Sequence, residues 1–236
     1  MRAIRSSFFQ MLTYMRRDMM LFAACLAPIF AGILFRIGIP FLEAALTSWF
    51  HVPKIISPYY ALIDILFAML SPAMFCFVAA MVALEEADEK TVMYLFVTPL
   101  GRNGYLVARF CIPAITAFLV TVALLPVFKL TSLCTVDIVL LAAGGALQGV
   151  IISLLILTLS SNKLEGMAVA KLSTLAIVGA AIPFFIKHSI QYAIFLLPSF
   201  WIGKTICENE SLYILPAFVL SAMWIYFLLK RYLRKI

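Results

Sequence analysis

Leu84–Phe110 reads LEEADEKTVMYLFVTPLGRNGYLVARF and separates two long apolar segments of the chain. The stretch begins with four acids, continues as the short amphipathic segment Lys90–Val97, and stops at Thr98 and Pro99. Acids before helix formers, followed by a proline–glycine stop, predict a short helix. This helix is too short to cross a bilayer and too apolar on one face for a plain linker. We therefore expect it to dock onto another protein.

The composition is that of a membrane protein. The chain is 65% hydrophobic and 12% charged, with a mean hydropathy of +1.09, which no ordinary soluble domain shows. Apolar runs of about 20 residues cross ~30 Å of hydrocarbon as helices. Because the runs are continuous and not alternating, they exclude barrel strands. The sequence predicts an all-α membrane protein, one domain over residues 1–236, with these six spans: Met19–Ile39, Tyr60–Leu84, Tyr105–Phe128, Ile138–Leu159, Met167–Ile186 and Leu212–Leu229.

The distribution of the 18 Lys and Arg residues predicts the orientation. With both termini in the cytoplasm, five lie outside: Arg36, Lys54, Lys129, Lys187 and Lys204. The other thirteen lie inside: Arg2, Arg5, Arg16, Arg17, Lys90, Arg102, Arg109, Lys163, Lys171, Lys230, Arg231, Arg234 and Lys235. This excess follows the positive-inside rule, so we expect a multi-pass protein of the plasma membrane. No basic patch is interleaved with exposed aromatics, and a nucleic-acid partner is not expected.

Two segments outside the spans are themselves amphipathic or apolar. Residues 1–18 place apolar side chains at helical spacing among arginines, which predicts an interfacial helix; a plain cytosolic tail is the alternative. Without a small-residue cleavage site, the first apolar run is expected to stay in the protein. Residues 187–211 are half apolar but too short for two spans. We interpret them as an outer re-entrant or interfacial hairpin broken at Pro198, with a flat surface loop as the alternative.

Arg36 and Asp64 lie within or near the outer ends of the first two spans, on either side of the outer loop Pro40–Pro58. A charge in a span is costly unless it is paired or reaches water. The two residues are therefore expected to pair with each other or to extend separately to the headgroups. In the fourth span, Gly145 and Gly149 would let another helix approach closely. Packing within one subunit is favoured over a contact between subunits.

The sequence offers little chemistry of its own. It has no HExxH or GxSxG motif, and its two histidines lie in predicted outer loops. No catalytic, cofactor-binding or metal-binding residue is predicted. Asp64 is the only acid deep in a span, whereas ion-driven carriers usually need more intramembrane polar residues. The chain has membrane-spanning segments but no recognisable site that would supply energy for transport. This favours a transport subunit driven by a separate partner protein.

The polar stretch resembles the inner loop between helices two and three of ABC transporter permeases of the ABC-2 exporter class. In that family an acid precedes a short helix, and a Thr-Pro pair with Leu, a basic residue and a Tyr follow. The matching residues here are Glu86, Glu89, Leu95, Thr98, Pro99, Leu100, Arg102 and Tyr105. The number of spans, the cytoplasmic termini and the outer hairpin before the sixth span agree with the same family.

The resemblance implies a bacterial exporter in which two permease subunits meet as a homodimer or heterodimer. Each is clasped by an ABC ATPase encoded as another chain, where ATP and Mg²⁺ bind, so this chain holds no cofactor. The substrate is expected to be a drug, a peptide, a polysaccharide or a lipid-like molecule that leaves the cell. This loop has four acids where the family has one or two, and which carboxylate acts stays open.

Residues 85–104 are the predicted cytoplasmic coupling loop, with its helix over Glu89–Leu100. Val92, Leu95 and Phe96 recur at three- and four-residue spacing and are expected to insert into a groove on the ATPase. Glu86 and Glu89 are expected at the N-terminal end, where they favour the helix dipole. Thr98 and Pro99 would fix the helix end, and Arg102 completes the predicted docking set; an ordinary loop on the headgroups is the alternative.

Two other functions remain open at this stage. A secondary carrier or channel would transport without an ATPase, driven by an ion gradient. A membrane scaffold or assembly factor would not transport at all. Co-purification of an ATPase subunit with this chain would favour the exporter over both.

Overall fold

The computed structural model describes residues 13, 18–98 and 101–235. Every regular element within these ranges is helical, which confirms the all-α prediction. The interfacial helix expected over residues 1–18 falls almost entirely outside the described residues. Six helices are long and apolar enough to cross a membrane, and they are numbered here as spans one to six: Met19–Phe50, Ser57–Asp88, Gly101–Phe128, Thr135–Leu159, Lys163–Phe185 and Ser211–Lys235.

Several spans are composed of consecutive helical segments. Two π-helical segments, Leu34–Gly38 and Val107–Cys111, interrupt spans one and three. The α-helices of the spans are Met19–Ile33, Ile39–Phe50, Tyr60–Asp88, Gly101–Leu106, Ile112–Phe128, Thr135–Leu159, Lys163–Val178, Ile182–Phe185 and Ile214–Lys235. Outside the spans lie the α-helices Thr91–Val97 and Pro198–Cys207. Short 3₁₀ turns occur at Ser57–Tyr59, Gly179–Ala181, Ser189–Ile194 and Ser211–Tyr213.

Span one is longer than predicted. The loop expected to begin at Pro40 is helical up to Phe50. Pro40 directly follows the π-helical segment Leu34–Gly38, and this local change in helix geometry lets the helix continue past a residue that has no N–H to donate. The helix ends where His51 adopts a left-handed conformation with φ of 53°. The Glu43 carboxylate then accepts hydrogen bonds from the backbone N–H groups of residues 55, 56 and 57. The connection to span two therefore folds back onto span one.

The polar stretch is shorter in the structure than in the sequence interpretation. Span two continues through Asp88 instead of ending at Leu84, and span three begins at Gly101 instead of Tyr105. The predicted short helix exists but covers only Thr91–Val97. Glu85 and Glu86 are helix formers, and they extend span two because no glycine or proline follows them before residue 89.

Spans two and four form the centre of the bundle. Their apolar windows are 72% buried, against 33% or less for the other four. Glycines allow this close approach: a Cβ on Gly145 would lie 2.3 Å from the carbonyl oxygen of Ala68, and one on Gly149 would lie 2.9 Å from that of Pro72. The predicted packing of these glycines within one subunit is confirmed. The outer spans expose large apolar side chains, as expected of helices surrounded by lipid.

The segment 187–211 contains two helical pieces, Ser189–Ile194 and Pro198–Cys207. Pro198 is the first residue of the second helix and not a break inside one. The amino group of Lys204 is buried, and it lies 4.5 Å from the ring centroids of both Tyr192 and Tyr213. This cation holds the hairpin against the start of span six. Re-entry of the hairpin into the membrane stays a prediction.

The close approach of spans two and four predicts a steric effect. Gly145→Ala should destabilise the protein by about 1–3 kcal/mol, because the added methyl group overlaps the backbone of span two. Thermal unfolding of the purified protein in detergent measures this change. Gly38→Ala is the control, because its methyl group would meet only the flexible side chain of Leu34 at 3.3 Å. Equal melting temperatures for Gly145→Ala and the wild type would contradict the packing.

The orientation predicts opposite labelling of the two ends of the bundle. Asn103 and Asn209 are exposed at opposite ends. In a cysteine-free background, a cysteine at position 209 should react with an impermeant maleimide from outside intact cells. A cysteine at position 103 should react only after permeabilisation. Reaction of both from outside would rule out the six-span topology.

Candidate functional site

One end of the bundle, called here the basic end, carries most of the ionic contacts. It comprises residues 85–98, 101–109, 157–166 and 230–235. Lys163, at the start of span five, contacts Asp18 at 2.6 Å and Glu85 at 3.2 Å. Its hydrogen bond lowers the pKa of the Asp18 carboxyl, which also caps the start of span one through the N–H of Met20. This lysine therefore connects spans one, two and five.

Glu86 and Arg109 form a buried ion pair between spans two and three. Arg109 donates through Nε to Oε2 of Glu86 at 2.9 Å and through a second nitrogen to Oε1. The Arg109 side chain is 1% exposed and that of Glu86 17%. The ring of Tyr105 lies 5.7 Å from the guanidinium carbon. These two parallel hydrogen bonds fix the relative position of spans two and three. The pairing also neutralises the charge of the buried Arg109 guanidinium.

Two further cations join spans three, four and six. Arg102 donates to the carbonyl of Leu233 near the end of span six. Lys235 donates to the carbonyl of Leu157 at 3.0 Å and to that of Ser160 at the end of span four. The last carbonyls of a helix have no partner within the helix. Basic side chains from neighbouring spans supply the missing donors, so all six spans are joined at the basic end.

The short helix Thr91–Val97 turns its predicted docking ridge inward. Val92 is buried, and Leu95 and Phe96 are half-buried, packed against Tyr105 and its neighbour. The rings of Phe96 and Tyr105 meet edge to face at 5.5 Å. The three residues expected to insert into a groove on the ATPase therefore pack against span three of their own chain. Left-handed conformations at Lys90 and Gly101 reverse the chain on either side of the helix, and this folds the ridge onto span three.

The outward face of the short helix consists of other apolar residues. Met93 is 66% exposed, Tyr94 76% and Val97 89%. The sequence did not identify this face, because residues 92–97 are nearly all apolar, and helical spacing fits Met93, Tyr94 and Val97 as well as it fits Val92, Leu95 and Phe96. These three side chains lie on one face at spacings of one, three and four residues.

The other predicted docking residues occupy different places from those expected. Glu86 lies in the last turn of span two, with its carboxylate on Arg109, and Glu89 caps that helix. Neither begins the short helix, so the expected contribution to its dipole is wrong. Thr98 is exposed and donates to the carbonyl of Leu95, and Arg102 contacts Leu233 of its own chain. Pro99 lies outside the described residues.

A groove of about 180 Å³ lies behind the short helix. It runs between this helix and the ends of spans two, four and six. Two lysines reach its rim, and Met93 connects it to the outward face of the helix. Its lining consists of Leu84, Ala87, Lys90, Val92, Met93, Leu157, Ser160, Ser161, Tyr232 and Lys235.

At the opposite end, Arg36 and Asp64 do not pair with each other. Asp64 accepts from the backbone N–H groups of Leu130 at 2.8 Å and Thr131 at 2.9 Å, and from the Thr131 hydroxyl. Arg36 donates to the carbonyl of Lys129. The pairing hypothesis is therefore wrong, and both charges instead hold the turn after span three. Three hydrogen bonds satisfy the buried carboxylate, which forms no direct ion pair with another described residue.

Residues 11–230 match the family described as Rv2686c-like, fluoroquinolones export permease protein. The chain belongs to this family. It is 28% identical over 151 residues to the fluoroquinolones export permease protein Rv2686c of Mycobacterium tuberculosis strain H37Rv, and equally so to the protein MT2760 of strain CDC 1551. The matched part covers 62% of this chain and 59% of each relative. No solved structure matches.

Membership in the Rv2686c-like family confirms the resemblance to ABC transporter permeases that the polar stretch indicated. It agrees with the six apolar helices, which make the chain a multi-pass membrane protein. The family match includes spans one to five and span six up to residue 230. It therefore covers the turn that Asp64 holds and all of the basic end except residues 231–235.

The buried Glu86–Arg109 pair predicts a non-additive mutational effect. Arg109→Met should cost about 3–5 kcal/mol of stability, because it strands the Glu86 carboxylate. The double variant with Glu86→Gln should recover most of that loss, since no buried charge remains. A double-mutant cycle by thermal unfolding in detergent measures the coupling. Purely additive losses would contradict a coupled pair.

The Asp64 contacts predict the opposite behaviour. Asp64→Ala should cost about 2 kcal/mol, because two backbone N–H groups lose their acceptor. Adding Arg36→Ala should lower stability further, since Arg36 separately holds the carbonyl of Lys129. Unfolding of both single variants and of the double variant measures this. Recovery in the double variant would show that the two charges pair after all.

Proposed function

We propose that this chain is the membrane-spanning permease subunit of an ATP-driven ABC exporter. It would work beside a second permease subunit and with a separately encoded ABC ATPase, which would bind ATP and Mg²⁺. The basic end would face the cytoplasm, where the ATPase is. The observation that carries the proposal is the short helix Thr91–Val97, which presents three apolar side chains outward at this end of a permease-family bundle.

The outward face of the short helix has the properties of an interface centre. Met93, Tyr94 and Val97 form a compact exposed patch of apolar and aromatic side chains at the basic end. Methionine and aromatic residues are enriched at interface centres. A groove on the ATPase that accepts one face of a helix would cover this patch. The patch replaces the inward-facing ridge that the sequence had suggested as the docking surface.

The short helix is attached firmly enough to transmit movement. Phe96 packs on Tyr105 in span three, and Tyr105 stands beside the Arg109–Glu86 pair that joins spans two and three. A displacement of the helix by the ATPase would therefore act on two spans together. The proposed roles of Glu86, Val92, Leu95 and Phe96 change accordingly from contacting the ATPase to carrying its motion.

The lysines at the groove behind the helix suggest the charge of the partner surface. Lys90 is exposed at the left-handed turn before the short helix, and Lys235 lies across the groove. An acidic side chain of the ATPase next to its apolar groove would be attracted there.

For the substrate, the relatives are the guide, since their names state the export of fluoroquinolones. We propose a drug-like amphipathic molecule as the substrate of this chain. Peptides and lipid-like molecules are the other classes that the resemblance to ABC-2 permeases implies. A carrier without an ATPase and a scaffold are the outcomes that the following experiment would reveal.

Charges on the outward face of the short helix should abolish ATPase binding. We expect Tyr94→Asp combined with Val97→Asp to leave the chain folded in the membrane, because both side chains are exposed. The variant should lose an ATPase that purifies with the wild type from native membranes, and with it drug-stimulated ATP hydrolysis. Mass spectrometry of the purified complex and phosphate release measure the two effects.

Asn103→Asp is the matched control, since it adds a charge at the same end outside the outward face. It should retain the ATPase. An ATPase that stays bound to the double variant, with hydrolysis intact, would refute docking through this helix. Drug transport by the purified chain alone, driven by an ion gradient, would establish the carrier instead.

A further inference from the structure

A second cavity, of about 270 Å³, lies between spans one, two, four and five. It is separate from the groove behind the short helix and shares no residue with it. Seven of the nine lining residues are apolar. The lining consists of Met20, Ala73, Met74, Phe77, Ile152, Met167, Ala170, Lys171 and Thr174.

Lys171 is an unusual residue at this position. It lies eight residues after Lys163 in span five, about 12 Å further along the helix axis at 1.5 Å per residue. All eleven acids of the chain fall within the described residues, and Lys171 forms no ion pair with any of them. A charged side chain within a span is costly unless it is paired or reaches the interface, and Lys171, exposed beside the cavity, has no paired acid among the described residues.

The rest of the lining is suited to a flat apolar body. Met20, Met74 and Met167 surround the cavity with flexible thioethers, which adapt their shape and contact aromatic rings favourably. Phe77 offers a ring for stacking. The volume is close to the lower end of small-molecule pockets, roughly 300–1,000 Å³, which fits one or two fused rings.

We propose that this cavity binds an amphiphilic anion, with its apolar body between the methionines and Phe77 and its anionic group on the amino group of Lys171. The unpaired amino group of Lys171 favours a negatively charged ligand. The apolar lining favours a ligand whose remaining part is hydrophobic. Lys171 and Met20 are exposed at the rim, so a ligand can enter from the side of the bundle.

Two sources supply such a ligand. One is an aromatic carboxylate of the fluoroquinolone kind, in which case the cavity is a substrate site and the inference rests on the proposed function. The other is an anionic phospholipid, which needs no transport activity. Both place an anion on Lys171, and the two arms of the experiment separate them.

In the drug arm, the purified chain in nanodiscs of neutral phosphatidylcholine is titrated with ciprofloxacin, and binding is followed by the drug's own fluorescence. We expect Lys171→Gln to weaken binding by about tenfold, which corresponds to losing one ionic contact. Lys171→Arg should retain binding. The ester of ciprofloxacin, which has no carboxylate, should bind the wild type as weakly as the free drug binds Lys171→Gln.

In the lipid arm, native mass spectrometry counts phosphatidylglycerol molecules that stay on the chain after detergent exchange. A lipid retained by the wild type and by Lys171→Arg, but lost in Lys171→Gln, identifies the lipid as occupant. Lys230→Gln is the control in both arms, because it removes an exposed cation at the basic end outside the cavity. Met74→Trp fills the cavity without changing its charge and should also weaken binding.

The proposal is overturned if Lys171→Gln and Met74→Trp bind both ligands as the wild type does. It is also overturned if Lys230→Gln weakens binding as much as Lys171→Gln, because the effect is then one of surface charge. The Lys171→Gln variant should still purify with the ATPase. A loss of ligand binding in this variant is then not caused by a loss of ATPase docking. A failure of docking through Tyr94 and Val97 leaves the binding measurement unaffected.

Discussion

The fork of hydrogen bonds between Arg109 and Glu86 is the constraint on which the basic end depends. A buried arginine requires a carboxylate in a fixed place, since an unpaired charge there costs several kcal/mol. The pair therefore sets the distance between the end of span two and the start of span three. The Tyr105 ring packs beside the Arg109 guanidinium, and the Phe96 ring packs against Tyr105. The ion pair therefore helps to position the short helix that carries Phe96.

Arg109 lies within the π-helical segment Val107–Cys111, and Arg36 lies within the other one, Leu34–Gly38. A π-turn inserts an extra residue into a helix and changes the direction of the side chains that follow. Each π-turn also directly precedes a segment with proline in its first turn. Both arginines therefore lie in π-helical turns of their spans. The side chain of each donates to an acceptor on another part of the chain.

Polar contacts at the ends and small residues at the centre hold the bundle together. Lipid is as apolar as the side chains, so burial alone provides little force between helices in a membrane. Glycines bring spans two and four into backbone contact, and cations at the basic end satisfy the carbonyls where helices stop. Span two contributes residues to the contact with span four, to the cavity beside Lys171 and to the Glu86–Arg109 pair.

The sequence alone determined the number and approximate positions of the spans, the fold class, the existence of the short helix and the family, because hydropathy over about 20 residues and a local motif are properties of consecutive residues. Tertiary structure decided which side of the short helix faces outward. Residues 92–97 are uniformly apolar, and only the turns at Lys90 and Gly101 choose between their faces. It also decided the partners of Glu86, Arg36 and Asp64, and it brought Lys171 to a cavity formed by four spans. A charge in a sequence shows that a partner is required, but the partner's identity depends on which distant segments the fold brings within hydrogen-bonding distance.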